Sequence, residues 1–304
     1  MNLPVTHGLE KFLQPEEIAR ISCLELRARK VVEGFISGLH RSPWFGQSLE
    51  FVQHREYVPG DDTRRIDWKL WSRSDRYYLK QFEDDTNVRV MVLLDGSESM
   101  QFGSGTDTKF QYAQMMAAAV SMLALKQHDS AGVSLFDSRI RSMVPMSSRH
   151  HHLQDILAGL SVTAAEGKTD IREVLQRTAS SLSQRSIIVL ISDLLFDRDD
   201  LFRGLQMLKQ RKHEVLILQV MDDQELDFTF SGTCRFEGLE SSGRLTCDPA
   251  ALREEYLKAL NSFLSDIRRR CAGSMVDYHL VRTSDHPDAA LAHLLQPRMN
   301  TRKR

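Results

Sequence analysis

Val88-Arg89-Val90-Met91-Val92-Leu93-Leu94-Asp95-Gly96-Ser97-Glu98-Ser99 decides the fold. Up to Leu94 the run is apolar except for Arg89, and valine recurs through it. A short, nearly continuous apolar run predicts a strand covered on both faces, as in a parallel sheet with helices above and below. It ends in an aspartate followed by small and hydroxylated residues, which puts polar chemistry at the strand's carboxyl end.

Moving outward, Ser186–Ser192 (SIIVLIS) and Glu214–Met221 (EVLILQVM) repeat the pattern, and Ala131–Phe136, Ile140–Val144 and Met275–Val281 add further strands. Between them lie segments with helical spacing: Thr108–Gln127, His152–Leu160, Asp170–Leu182, Asp199–Gln210, Pro249–Cys271 and Pro287–Leu295. Buried strands alternating with helices imply βαβ crossovers. The expected fold is a doubly wound, mainly parallel, Rossmann-like α/β sheet. A helix is expected over Pro15–Leu39, and the Gly46–Glu83 stretch alternates short apolar runs with dense charge. The expected organisation is an N-terminal helix and charged segment over 1–86, an α/β domain over 87–298 and a basic tail over 299–304. A hairpin insertion interrupts the domain at about 224–248.

The 304 residues are 41% hydrophobic and 27% charged, which excludes a disordered chain. Lys and Arg total 40 against 41 for Asp and Glu, so no basic excess argues for nucleic acid. Four scattered cysteines with no Cys-x-x-Cys argue against a zinc ribbon. Met1–Phe12 lacks the pattern of a signal peptide. The longest uncharged stretch, Phe110–Leu125, reads as a buried helix rather than a membrane span. A cytoplasmic protein with reduced thiols is expected. The phosphate-cradle, zinc-helix and nucleophile-elbow motifs are absent.

In open parallel sheets ligands bind outside the carboxyl ends of the strands. Asp95, Ser97 and Ser99 alternate after the first buried strand, Ser192-Asp193 ends the second, and Gly167-Lys168-Thr169-Asp170 precedes a helix. This donor set is all oxygen, which suits a hard divalent cation such as Mg²⁺. Taken singly, each has a plainer reading as a helix cap, as do Asp107, Thr108 and Asp170. Glu98 is expected to face solvent and His150-His151-His152 to form a solvated helix end. Met115, Met116 and Met122 are expected in the core. Cys234 and Cys247 flank the expected hairpin and read as two buried thiols.

Asp95-x-Ser97-x-Ser99, with Thr169 and Asp193 downstream, resembles the metal-ion-dependent adhesion site of von Willebrand factor A domains. The upstream runs Arg55-Glu56-Tyr57-Val58-Pro59-Gly60-Asp61-Asp62, Arg64-Arg65-Ile66-Asp67-Trp68-Lys69 and Tyr78-Leu79-Lys80-Gln81-Phe82-Glu83 resemble the signature of the bacterial "domain of unknown function 58" family. Its usual Gly-Gly-Thr reads Gly167-Lys168-Thr169 here.

The resemblance implies a non-catalytic module. In it Ser97, Ser99 and Thr169 contact Mg²⁺ (or Mn²⁺ or Ca²⁺) directly or through water, while Asp95 and Asp193 hold it through waters. One coordination position is left for a carboxylate from another protein. It also implies a MoxR-type AAA+ ATPase, or a client that such an ATPase remodels, as partner. The alternative is a Mg²⁺-dependent phosphohydrolase using the same carboxylates.

Overall fold

A computed structural model of the chain describes residues 15–40, 54–56, 71, 77–80, 88–149, 151–161, 170–230, 232, 234–237 and 244–301. They fall into two compact units: residues 1–36 together with 88–304, and residues 37–87.

In the smaller unit, β1 (His54–Glu56) and β2 (Tyr78–Lys80) pair antiparallel, with Arg55 opposite Leu79. Trp71 stacks on Tyr77 with ring centroids 5.9 Å apart.

The larger unit is built on a six-stranded sheet. Its strands are β3 (Arg89–Asp95), β4 (Ser130–Phe136), β5 (Ile140–Ser147), β6 (Ile187–Ser192), β7 (Glu214–Met221) and β10 (Asp277–Arg282). The spatial order is β10-β7-β6-β3-β4-β5, parallel throughout except for the antiparallel β4–β5 pair. The chain runs outward from β3 to β4 and β5, then returns to the other side of β3 as β6. The strand order therefore reverses at β3, and this is where a doubly wound sheet opens a crevice at its carboxyl edge. A separate ribbon pairs β8 (Cys234–Glu237) with β9 (Arg244–Cys247), within the expected insertion. The Ser241-Ser242-Gly243 stretch, whose residues predict the turn of this hairpin, lies outside the described residues.

Helices cover both faces. α2 (Lys109–Lys126) is buried over most of its surface, and its run of small alanines lets it lie close across β3 and β4. Met115, Met116 and Met122 are in its core, as expected. On the other face, Met91 and Leu93 of β3 join Val174 and Leu175 of α4 (Ile171–Ser181), Leu201 and Leu205 of α5 (Arg198–Gln210) and Ile267 of α7 (Pro249–Gly273) in one cluster. Period-2 alternation along β3 sends Val90, Val92 and Leu94 the opposite way. Each such fully buried side chain contributes roughly 1.5–3 kcal/mol. Gly204 sits where α5 crosses α4: a Cβ there would come within 2.5 Å of the Leu175 side chain.

The remaining helices are α1 (Pro15–His40), α3 (His152–Leu160), α6 (Asp223–Asp227) and α8 (Pro287–Thr301). α8 continues past the expected stop at Leu295 and through Pro297, because a proline removes one backbone donor without forbidding the turns beyond it. His152 departs from the solvated helix end expected of it. It is buried, with Nε2 3.0 Å from the Ala131 carbonyl oxygen, because α3 packs its first turn against β4. No helix among the described residues is long and apolar enough to cross a membrane.

Candidate metal centre

Asp95 is the last residue of β3 and is fully buried. Its Oδ1 accepts from the Ser97 backbone N–H (2.9 Å) and its Oδ2 from Ser192 Oγ on the neighbouring strand (2.6 Å). Both donors are neutral. Burial, and then the nearby Asp193 carboxylate, push the Asp95 carboxyl up to about 7. Ser97 is buried, and its Oγ lies 3.1 Å from Ser99 Oγ, on the 3₁₀ turn Glu98–Gln101. Alternation places the two hydroxyls side by side next to the carboxylate. Glu98, expected to face solvent, is half-buried on the same turn.

Asp193 follows β6 directly, and the β3–β6 register, with Leu94 opposite Ile191, brings it to the same edge. Its Oδ1 accepts from the Leu195 N–H (3.1 Å). Leu194, between them, has φ 62°, a left-handed conformation uncommon for a bulky residue. Its side chain is fully buried and its N–H donates to Ser192 Oγ (2.9 Å), so packing and a hydrogen bond hold the turn. Leu195 then projects outward, 44% exposed.

The other oxygen of Asp193 meets a group that the motif reading missed. Lys109 Nζ, at 0% exposure, donates to Asp193 Oδ2 (2.8 Å) and to Glu225 Oε1 on α6 (2.7 Å). Burial alone favours the neutral amine, but the two carboxylates outweigh it and hold the Lys109 pKa above the ordinary lysine value. A sequence signal for it existed. Lys109 is the first residue of α2, where the helix dipole disfavours a cation, and the residues Phe110–Leu125 that follow carry no charge. A lysine in that position requires carboxylates from elsewhere in the fold.

Asp95, Ser97, Ser99 and Asp193 thus converge on the carboxyl ends of two adjacent parallel strands at the point where the strand order reverses. Thr169 and Lys168 lie outside the described residues. Asp170 caps α4, accepting from the Glu173 N–H (3.1 Å), and Thr108 caps α2 in a reciprocal box with Gln111. Asp107 pairs instead with Arg27 of α1.

A second acidic group lies at the ends of β7 and β10. Asp222 is buried and accepts from Ser104 N (2.9 Å), Ser104 Oγ (2.5 Å), Gln224 N (2.9 Å) and Thr283 Oγ1 (3.1 Å). Burial works to raise this carboxyl, but the donors win and hold it below the usual carboxylate range. Gly103 lets the chain fold back to deliver Ser104, since a Cβ there would meet the Asp107 carbonyl oxygen at 2.8 Å. Arg282 forks onto Asp227 (2.8 and 2.9 Å) and also reaches Asp223 (2.9 Å).

The donor set at β3 and β6 fits a hard divalent cation. Asp95 is a buried carboxylate with only neutral donors, and two hydroxyl oxygens lie beside it. Among the described residues no group of three or more His, Cys, Asp or Glu side chains is arranged to hold a metal. An ion at this edge would therefore draw on the serine hydroxyls. Asp95, Ser97, Ser99 and Asp193 are the residues present to hold it, and it would supply a concentrated positive charge with room for a further anionic oxygen.

Comparison with known proteins gives three uncharacterized mycobacterial relatives. That of Mycobacterium bovis (Mb1516) and that of Mycobacterium tuberculosis (Rv1480) are each 26% identical over 264 residues, covering 85% of this chain and 82% of the relative. Among solved structures, the conserved hypothetical protein BatB of Bacteroides thetaiotaomicron overlaps 70% of this chain and 99% of its own, at 15% identity and TM-score 0.46. Manganese-loaded TRAP of Plasmodium vivax overlaps 43% of this chain and 56% of its own, at 13% identity and TM-score 0.32. One family profile, described as "Protein of unknown function DUF58", matches residues 53–262, well over half of the sequence. The chain belongs to the DUF58 family.

Proposed function

We propose that this chain is a non-catalytic, von Willebrand factor A-like binding module. Asp95, Ser97, Ser99, Thr169 and Asp193 would hold Mg²⁺, and the ion would take a carboxylate from another protein. The observation that carries this reading is the convergence of Asp95, Ser97, Ser99 and Asp193 on one sheet edge, with the Ser97 and Ser99 hydroxyls 3.1 Å apart. Hydroxyl donors neutralise a cation incompletely, which leaves it attractive to an incoming Glu or Asp. Leu195, exposed two residues after Asp193, offers an apolar contact at the rim of the same edge. The family resemblance supplies the partner: a MoxR-type AAA+ ATPase or a client protein presenting an acidic side chain, met in the cytoplasm.

Binding of the purified chain to the MoxR-type ATPase of its own organism tests this reading. Binding in Mg²⁺ that is lost in EDTA, and lost again in Ser97→Ala/Ser99→Ala, is expected. Binding indifferent to both would overturn it. Turnover of p-nitrophenyl phosphate in Mg²⁺, abolished by Asp95→Asn, would favour the phosphohydrolase instead.

A further inference from the structure

Cys234 and Cys247, thirteen residues apart, are paired directly across the β8–β9 ribbon. Below them the register continues as Arg235 opposite Thr246, Phe236 opposite Leu245 and Glu237 opposite Arg244. The cysteines therefore occupy the base of the hairpin, where β8 enters and β9 leaves. Residues directly opposed in an antiparallel pair have Cα atoms roughly 4.5–5.5 Å apart, inside the Cα range a disulfide spans.

The ribbon is a sheet of its own, outside the six-stranded sheet, and a two-stranded ribbon is marginally stable by itself. Its base joins two fixed points. Upstream is α6, whose Glu225 is bound to Lys109, and downstream Asp248 caps α7, accepting from the Ala250 N–H. A bond across the base would fasten the insertion to both. The other two cysteines lack this relation: Cys23 is exposed on α1, and Cys271 is buried on α7. Burial pushes the Cys271 thiol up to about 12, far from the reactive thiolate form.

We propose that Cys234 and Cys247 form a redox-responsive cross-strand disulfide, made by exchange with a small-molecule disulfide of the glutathione type. One cysteine thiolate attacks a sulfur of oxidised glutathione, forming a mixed disulfide and releasing one glutathione thiolate. The second cysteine thiolate attacks the protein sulfur of that mixed disulfide and releases the second. The two cysteines lose two electrons, and the small disulfide gains them. The two cysteine protons pass through solvent to the two leaving thiolates.

The test uses the full chain, first reduced and then equilibrated with oxidised glutathione. Remaining thiols are alkylated with iodoacetamide, and the protein is digested with trypsin without reduction and mapped by mass spectrometry. Cleavage after Arg235 and Arg244 separates the two cysteines, so a joined peptide pair reports the bond directly. The expected result is that pair at a mass lower by two hydrogens than the separate thiol peptides, with Cys271 alkylated only after unfolding. In Cys234→Ser, glutathione should remain on Cys247 for lack of a resolving thiol. Recovery of Cys234 and Cys247 both alkylated, or a stable glutathione adduct on either cysteine of the unaltered chain, would overturn the proposal. The wild-type map needs no variant to fold.

Discussion

Two carboxylate groups stand at the carboxyl ends of strands in the same sheet and differ in what neutralises them. At β7 and β10, Asp222 takes four hydrogen bonds, and Asp223 and Asp227 share the Arg282 guanidinium. At β3 and β6, Asp95 has one hydroxyl and one backbone N–H, and Asp193 has one backbone N–H and part of an ammonium. The consequence is visible in their protonation. Donors hold Asp222 and Asp227 below the usual carboxylate range, whereas burial and then the Asp193 carboxylate push Asp95 up to about 7, against two neutral donors too few to offset them. Acidic residues at a strand tip therefore do not by themselves make a cation site. What differs is the number of donors each buried carboxylate receives: Asp222 has four and Asp95 two, so under the proposed reading Asp95 is the one left with acceptor capacity for a cation.

Lys109→Met would test the boundary between the two most severely. It leaves Asp193 and Glu225 buried without their shared cation, and breaking a buried pair in this way costs about 3–5 kcal/mol. Urea denaturation in chelator should register that loss. Mg²⁺ should restore part of it, since a divalent ion at the adjacent hydroxyls replaces the missing charge. A variant as stable as the parent in EDTA would mean that Lys109 does not set the charge balance of the edge.

The sheet, its strands and most helix limits were legible from apolar runs and capping residues, because each strand from β3 to β7 is set by a local pattern. The Asp95-x-Ser97-x-Ser99 alternation was legible for the same reason. Lys109 was not found, since its meaning depends on Asp193 and Glu225, 84 and 116 residues away in sequence. His152 was misread because a polar residue at a helix start usually faces water, and only the seat of α3 against β4 turns it inward. The short α6, which delivers Glu225, carries no apolar period to announce it.

Asp222→Asn probes the saturated cluster. Because its folded pKa lies below the ordinary value of 3.8, the carboxylate stabilises the fold above that pH, and the contribution is lost as pH falls through the folded value. Replacement should cost about 1–3 kcal/mol near neutrality, the scale of hydrogen bonds to a charged group. It should also flatten the acid limb of a stability-versus-pH profile. An acid limb as steep as the parent's would show that the four donors do not discriminate the charged form.

Ser97→Ala is expected to change metal-free stability by no more than about 1 kcal/mol, since it removes one hydroxyl contact. On the proposed reading Mg²⁺ raises the Tm of the parent chain, and this substitution should abolish that rise. An undiminished Mg²⁺ shift would remove the hydroxyls from the donor set. The smallest effect belongs to Arg282→Met. Its fork is partly exposed, so the loss should be measurable at low ionic strength and largely gone in high salt, with the Mg²⁺ shift unchanged. A changed Mg²⁺ shift would show that the two clusters act as one.

The ammonium of Lys109 is part of the chain, so it stays at Asp193 whatever the concentration of divalent ions outside. If a divalent ion binds here as proposed, chelation takes charge from this edge without emptying it, and the surrounding strands keep a counter-ion against which to stay folded. Under that reading a resident cation would uncouple occupancy from integrity, so that the same molecule could be loaded and stripped repeatedly. Low-magnesium conditions would then silence the edge as a contact surface while sparing the protein.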